Sequence, residues 1–205
     1  MIEKIVISPH IDDEVLGCAG ILDNRTLVLH CGIEDRTNIT AEERLKEIQR
    51  TQRLLGFEMK LLRKNVVNSY NVSDLIPDFE KVINEHRPER VYIPYPSYNQ
   101  DHIATYEAAL VALRPHDINH FVKKVLVYEQ PHVFLWDNTH DINGGFKPNY
   151  FVQIDVDKKI KAYEMLSSQI RAFRSTRMLK EMASLRGKQS NCEYAEAYRI
   201  VRWVE

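Results

Sequence analysis

Apolar residues fall in short β-branched runs separated by stretches of helical period. Residues 2–8 (IEKIVIS) and 26–31 (TLVLHC) read as strands flanking a helical stretch that begins near Glu14, which makes a βαβ unit. Thr40-Ala-Glu-Glu has the form of a capping box, and Leu45, Ile48 and Leu55 followed by Gly56 mark a helix and its stop. A strand is expected over 59–62. Ser73 is expected to cap a helix carrying Leu75, Ile76, Phe79, Val82 and Ile83, which Pro88 closes before a strand at 91–93. Residues 101–113 read as helix, 125–128 and 150–154 as strands, 157–171 as helix and 193–204 as a closing strand, with a Gly-, Pro- and Asn-containing loop over 131–149. No repeat, low-complexity tract or linker divides the chain. Strands alternating with helices predict a single α/β domain over 1–205, Rossmann-like, with a mostly parallel sheet covered on both faces and ligands bound beyond the carboxyl ends of the strands.

Composition adds exclusions. The 205 residues are 44% hydrophobic and 28% charged, an ordinary globular balance, and 28 Lys and Arg against 29 Asp and Glu give no basic surplus that would draw nucleic acid. The N-terminus lacks a signal-peptide pattern and no apolar run approaches a membrane span, so a cytoplasmic location is expected. Cys18, Cys31 and Cys192 are odd in number and never C-x-x-C, which fits a reducing compartment and small buried apolar roles. Self-association into a homo-oligomer is left open.

Two polar clusters carry candidate chemistry. "SPHIDDEVLGCAG" places His10, Asp12, Asp13 and Glu14 just past the first strand, and "PYPSYNQDHIAT" places Asn99, Asp101 and His102 between a later strand and its helix. If those two strands are neighbours, His10, Asp13 and His102 converge as two imidazoles and a carboxylate with a fourth position open, a catalytic zinc set. Asp12, unligated beside it, would be placed to take a proton from an activated water. Taken singly, D-D-E is a solvated helix start suited to the helix dipole and His102 a surface or capping histidine. His30, His86, His116, His120, His132 and His140 take that surface or capping reading.

The sequence resembles the LmbE/PIG-L-type zinc-dependent N-deacetylases. Their P-H-x-D-D-E signature, commonly followed by V-L-G-C-G-G, stands here as "PHIDDEVLGCAG"; "RLKEIQRTQRLLG" from Arg44, "NQDHIAT", "KPNYFVQID" and "RGKQSNCEYAEAYRIVR" resemble further family segments in the family's order. The resemblance implies one Zn2+ per chain held by His10, Asp13 and His102, Asp12 as general base, and Arg44 holding substrate. A solvent-facing Arg44 paired with Glu43 or Glu47 is the alternative. Asp101 is expected either to orient an imidazole or to cap its helix. Asn99 stands where many relatives carry a histidine; it can bind substrate but delivers no proton at neutral pH, which leaves the general acid unidentified with Asp12 as the economical candidate. The implied activity is removal of acetyl from an N-acetylated amino sugar or sugar conjugate, in glycan, cell-surface polysaccharide or secondary-metabolite synthesis. The alternatives are a zinc amidase acting on a larger amide conjugate and a catalytically silent metal-binding relative. Substrate contacts are expected from loops 33–40, 64–72 and 131–149.

Overall fold

The computed structural model describes residues 1–34, 39–62, 67–115, 121–131 and 145–205. Among them the chain runs β1 (Lys4–Ser8), α1 (Asp13–Cys18), β2 (Thr26–His30), α2 (Ala41–Leu55), β3 (Glu58–Leu61), α3 (Val72–His86), β4 (Arg90–Pro94), α4 (Gln100–Ala112), β5 (Lys124–Tyr128), β6 (Tyr150–Gln153), α5 (Val156–Glu164), α6 (Thr176–Gln189) and β7 (Ala195–Trp203). The sheet order is β3-β2-β1-β4-β5-β7-β6; β1 to β5 are parallel, and β7 runs antiparallel between β5 and β6. Crossovers turn one way from β1 to β3 and the other way from β4, so β1 and β4 flank the switch point where such sheets open a crevice.

Period-two alternation along buried strands builds both faces. Ile5, Ile7, Leu27, Leu29, Val91 and Ile93 pack with Leu75, Phe79, Val82 and Ala108 of α3 and α4. Val6, Val28, Tyr92, Leu126 and Tyr128 face Val15, Ile48, Leu55, Tyr163 and Leu179 of α1, α2, α5 and α6. Gly17 lets α1 lie this close to β5, since a Cβ there would stand 2.4 Å from the Tyr128 ring and 2.7 Å from the Glu129 carbonyl oxygen. The capping box at Thr40 and Glu43 is formed, and Gly56 ends α2 at φ 88°, a left-handed conformation suited to glycine.

Three expectations need correction. The cap of α3 is Asn71, whose side chain accepts from Ser73 N; Ser73 lies within the first turn. The helix expected over 157–171 stops at Glu164, because the following residues turn inward to meet α2: Ser167 Oγ and Ser168 N both donate to Glu47 Oε1, at 2.8 and 3.0 Å. α6 is an element the apolar pattern does not predict; Ser175 caps it, and Leu179, Met182, Ala183 and Arg186 form its buried face. Cys18 and Cys31 are buried as expected, whereas Cys192 is half-buried. Among the described residues no helix is long and apolar enough to cross a membrane. Of the loop residues and histidines named above, 35–38, 64–66 and 132–144, together with His116, His120, His132 and His140, lie outside the described residues.

Candidate active site

The chain leaves β1 at Ser8 and reverses into α1 within four residues, and Asp12 makes the reversal at φ 133°, a strained backbone for a residue with a Cβ. Its carbonyl already accepts from Val15 N and Leu16 N at 3.0 and 2.9 Å. Glu14 holds the turn from inside: fully buried, it accepts from Asp12 N at 3.2 Å and lies 3.1 Å from Ser8 Oγ, and burial pushes its carboxyl up to about 8. The third acid of the motif is therefore a brace. His30, at the end of β2, is fully buried 3.8 Å from Glu14, which overturns its surface reading; burial pushes its pKa down to about 4, leaving a neutral ring.

β1 and β4 are paired, so the two clusters meet. His10 Nδ1 and His102 Nε2 each lie 3.4 Å from the same oxygen, Asp13 Oδ2, and one ligand atom from each of the three residues falls within 4.8 Å of the others. Tetrahedral ligands on bonds of ~2.0–2.1 Å stand about 3.3 Å apart, so the spacing fits a small divalent ion. The second nitrogen of His10 is committed elsewhere. Nε2 lies 2.9 Å from Asp101 Oδ2, which fixes the tautomer that presents Nδ1 to an ion, the carboxylate–imidazole arrangement that supports metal ligands. Asp101 itself is held by Asn68 N at 2.6 Å and Tyr70 N at 3.4 Å. Tyr70 stacks on His10 and donates its hydroxyl to Pro9 O. The helix cap is Asn99, whose Oδ1 accepts from Asp101 N at 2.9 Å, so the Asp101 carboxylate is not the cap and is hydrogen-bonded to the His10 imidazole instead.

The electrostatics match a cation site. Burial opposes charge on His10, yet hydrogen bonds to Asp101 and Asp13 and the surrounding carboxylates outweigh it and raise the pKa to about 10. Burial would likewise raise Asp13, but His102 and His10 hold it well below the usual carboxylate range.

Asp12 is 2% exposed, and Arg174 Nη1 donates to its Oδ2 at 2.7 Å. Burial raises the Asp12 pKa, Arg174 pulls it back and Asp13 adds to the rise, with a balance at about 7. Arg44 is buried rather than solvent-facing, with Nη2 3.5 Å from Glu34. The partners considered for it are engaged elsewhere: Glu47 with Ser167 and Ser168, Glu43 with Thr40. A cavity of about 230 Å³ opens over the centre, and Asp12, Arg44, Asn99 and Arg174 line it together with Tyr98 and Phe173, which are 53% and 48% exposed. Sequence reasoning missed Arg174, Phe173, Tyr98 and Gln130, whose Nε2 donates to Asp13 Oδ1 at 2.6 Å. The only sequence signal for Arg174 was the R-A-F-R run, which an Arg171–Arg174 bridge folds into a turn between α5 and α6.

The PIG-L family model, described as GlcNAc-PI de-N-acetylase, matches residues 5–113, which include every residue of the three-ligand set. No curated protein matches the chain in sequence. Among solved structures, a conserved protein from Thermus thermophilus shares 23% identity at TM-score 0.79, covering 100% of this chain and 97% of that one. The N,N'-diacetylchitobiose deacetylase from Pyrococcus horikoshii shares 21% at TM-score 0.76, covering 98% and 84%. The 4-carboxy-2-hydroxymuconate hydratase GalB from Pseudomonas putida shares 20% at TM-score 0.75, covering 100% and 99%. At these identities the structural likeness is one of fold.

Proposed function

Because the chain belongs to the PIG-L family, we propose that it is a metal-dependent hydrolase that removes the acetyl group from an N-acetylated amino sugar or sugar conjugate, with residues 1–205 acting as one deacetylase domain. The observation that carries the reading is the pair of 3.4 Å separations about Asp13 Oδ2, with Asp12 beside them on the wall of an open cavity. His10 Nδ1, Asp13 Oδ2 and His102 Nε2 would hold one Zn2+. When bound, the ion supplies Lewis acidity toward an amide carbonyl and lowers the pKa of a water to near 7.

The chain's own groups do the rest. Arg174 occupies Asp12 Oδ2, and Asp12 Oδ1 has no hydrogen bond among the described residues, which leaves it to accept the proton of the attacking water. The same carboxyl returns that proton to the departing nitrogen as the C–N bond breaks, so acetate and a free amine are the products. This assignment needs no histidine at position 99, where Asn99 spends its Oδ1 on the cap of α4. Arg44 and the amide of Asn99 line the cavity and are assigned to the substrate.

The test is release of acetate by zinc-loaded protein from a panel of free, nucleotide-linked and glycan-linked N-acetylamino sugars. Turnover of at least one panel member that disappears on chelation is expected. Full metal occupancy with no acetate from any of them would overturn the reading.

A further inference from the structure

A third strand end also reaches the metal centre. Gln130 follows β5 by two residues and is 1% exposed, and its amide donates to Asp13 Oδ1 at 2.6 Å. The two oxygens of Asp13 therefore face different partners. Oδ2 accepts from the backbone N–H of His10 at 2.9 Å and stands between the two imidazoles, whereas Oδ1 is turned to the amide. We propose that Gln130 is a positioning residue that keeps Asp13 a one-oxygen ligand and so preserves an open position on the ion; the inference rests on the metal-dependent reading above.

Two points of chemistry and one observation support this role. A carboxylate coordinates hard or borderline cations through one oxygen or both, so something must hold the second oxygen away. A neutral amide does so without cancelling the charge that makes Asp13 a good ligand, as a lysine or arginine in its place would. The backbone that carries the amide is anchored on its N-terminal side: the neighbouring Glu129 is clamped by Arg186 in a buried ion pair, and Tyr128 OH donates to Ile7 O of β1 at 2.9 Å. The end of β5 is thus tied to the strand that carries the ligands.

The experiment measures zinc Kd by chelator competition, and the visible spectrum of the cobalt-loaded protein, for wild type and Gln130→Leu. Zinc binding about 10–100-fold weaker in Gln130→Leu is expected, the usual effect of removing a group that supports a ligand. The cobalt bands should lose intensity as the second carboxylate oxygen joins the ion. In an Asp13→Ala background the same substitution should change Kd by less than about twofold, because Gln130 then has no carboxylate to hold. An equal loss in both backgrounds would assign Gln130 to general packing and overturn the proposal, as would wild-type Kd and spectrum in Gln130→Leu. Should Gln130→Leu fail to fold, Gln130→Glu keeps the shape and sets an acceptor against an acceptor, and the same criteria apply. Failure of the wild type to bind zinc or cobalt would overturn the functional reading and this inference together, a result distinct from failure of the variant alone.

Discussion

Asp12 and Asp13 are neighbours with different partners, a guanidinium for one and two imidazoles with an amide for the other. Asp13→Asn is expected to weaken zinc binding, whereas Asp12→Asn should keep the ion and lower kcat by roughly 10²–10⁴, the usual contribution of a general base. Metal content and turnover measured on the same preparations separate the two. The backbone at Asp12 allows a second comparison. At φ 133° glycine is unstrained and alanine is not, so Asp12→Gly should be more stable than Asp12→Ala by about 1 kcal/mol in denaturant unfolding, although both lack the carboxylate. Because burial opposes charge on His10 yet hydrogen bonds to Asp101 and Asp13 raise its pKa to about 10, metal binding is expected to displace a proton from the imidazole. Zinc affinity should therefore tighten as pH rises, by about tenfold per unit between about pH 6 and 8, and a flat Kd would mean the imidazole is already neutral. At this scale the meeting of His10, Asp13 and His102 was readable because two polar clusters stood at two strand ends of one alternating chain and matched a family signature, not because any one residue announced it. Gln130 carried no such sign and Arg174 only the R-A-F-R run, since a glutamine after a strand and an arginine in a turn are common everywhere; their contacts distinguish them.

The element that carries Arg174 is a turn whose anchorage lies on another helix. Glu47 of α2 accepts from Ser167 and Ser168 just before the turn, and Tyr163 OH donates at its two ends, to Gln169 O or Arg174 O. Glu47→Ala would leave the Ser168 N–H without its acceptor, a cost of about 1–3 kcal/mol. It should lower Tm and, by loosening Arg174 from Asp12, reduce kcat with zinc content unchanged; undiminished turnover would show that the turn holds without α2. Strands were legible as short β-branched apolar runs, and α2 as a helix because its apolar period is bounded by explicit caps at Thr40 and Gly56. The segment after Glu164 was not, because its hydrophobic residues, Leu166 and Ile170 among them, continue a helical rhythm while the backbone follows hydrogen bonds to Glu47. A long-range contact overrides the local pattern there.

Across the whole molecule, the antiparallel end of the sheet is joined to the parallel part by buried charge. Lys159 Nζ donates to Glu196 Oε1 and to Leu16 O, both at 2.7 Å, while Glu196 Oε2 accepts from Gly20 N and Tyr198 OH. Lys159→Met should cost about 3–5 kcal/mol by leaving Glu196 buried without its cation, and Lys159→Met/Glu196→Gln should recover part of the loss, both read by urea unfolding. The sequence announced an alternating α/β chain, but not that β1 and β4 would be adjacent, because strand order is fixed by packing among segments far apart in the chain. That order also bears on biosynthesis. β7 follows β5 and β6 in the chain, yet its place is inside the sheet, between them. A nascent chain can pair β1 to β5 and assemble His10, Asp13 and His102 while the outer edge of β5 still lacks its neighbour. If those residues hold the proposed ion, its binding would precede completion of the sheet, and translation that stalls before Ala195 would yield a chain with the three side chains in place and an open edge, a species for chaperones to guard.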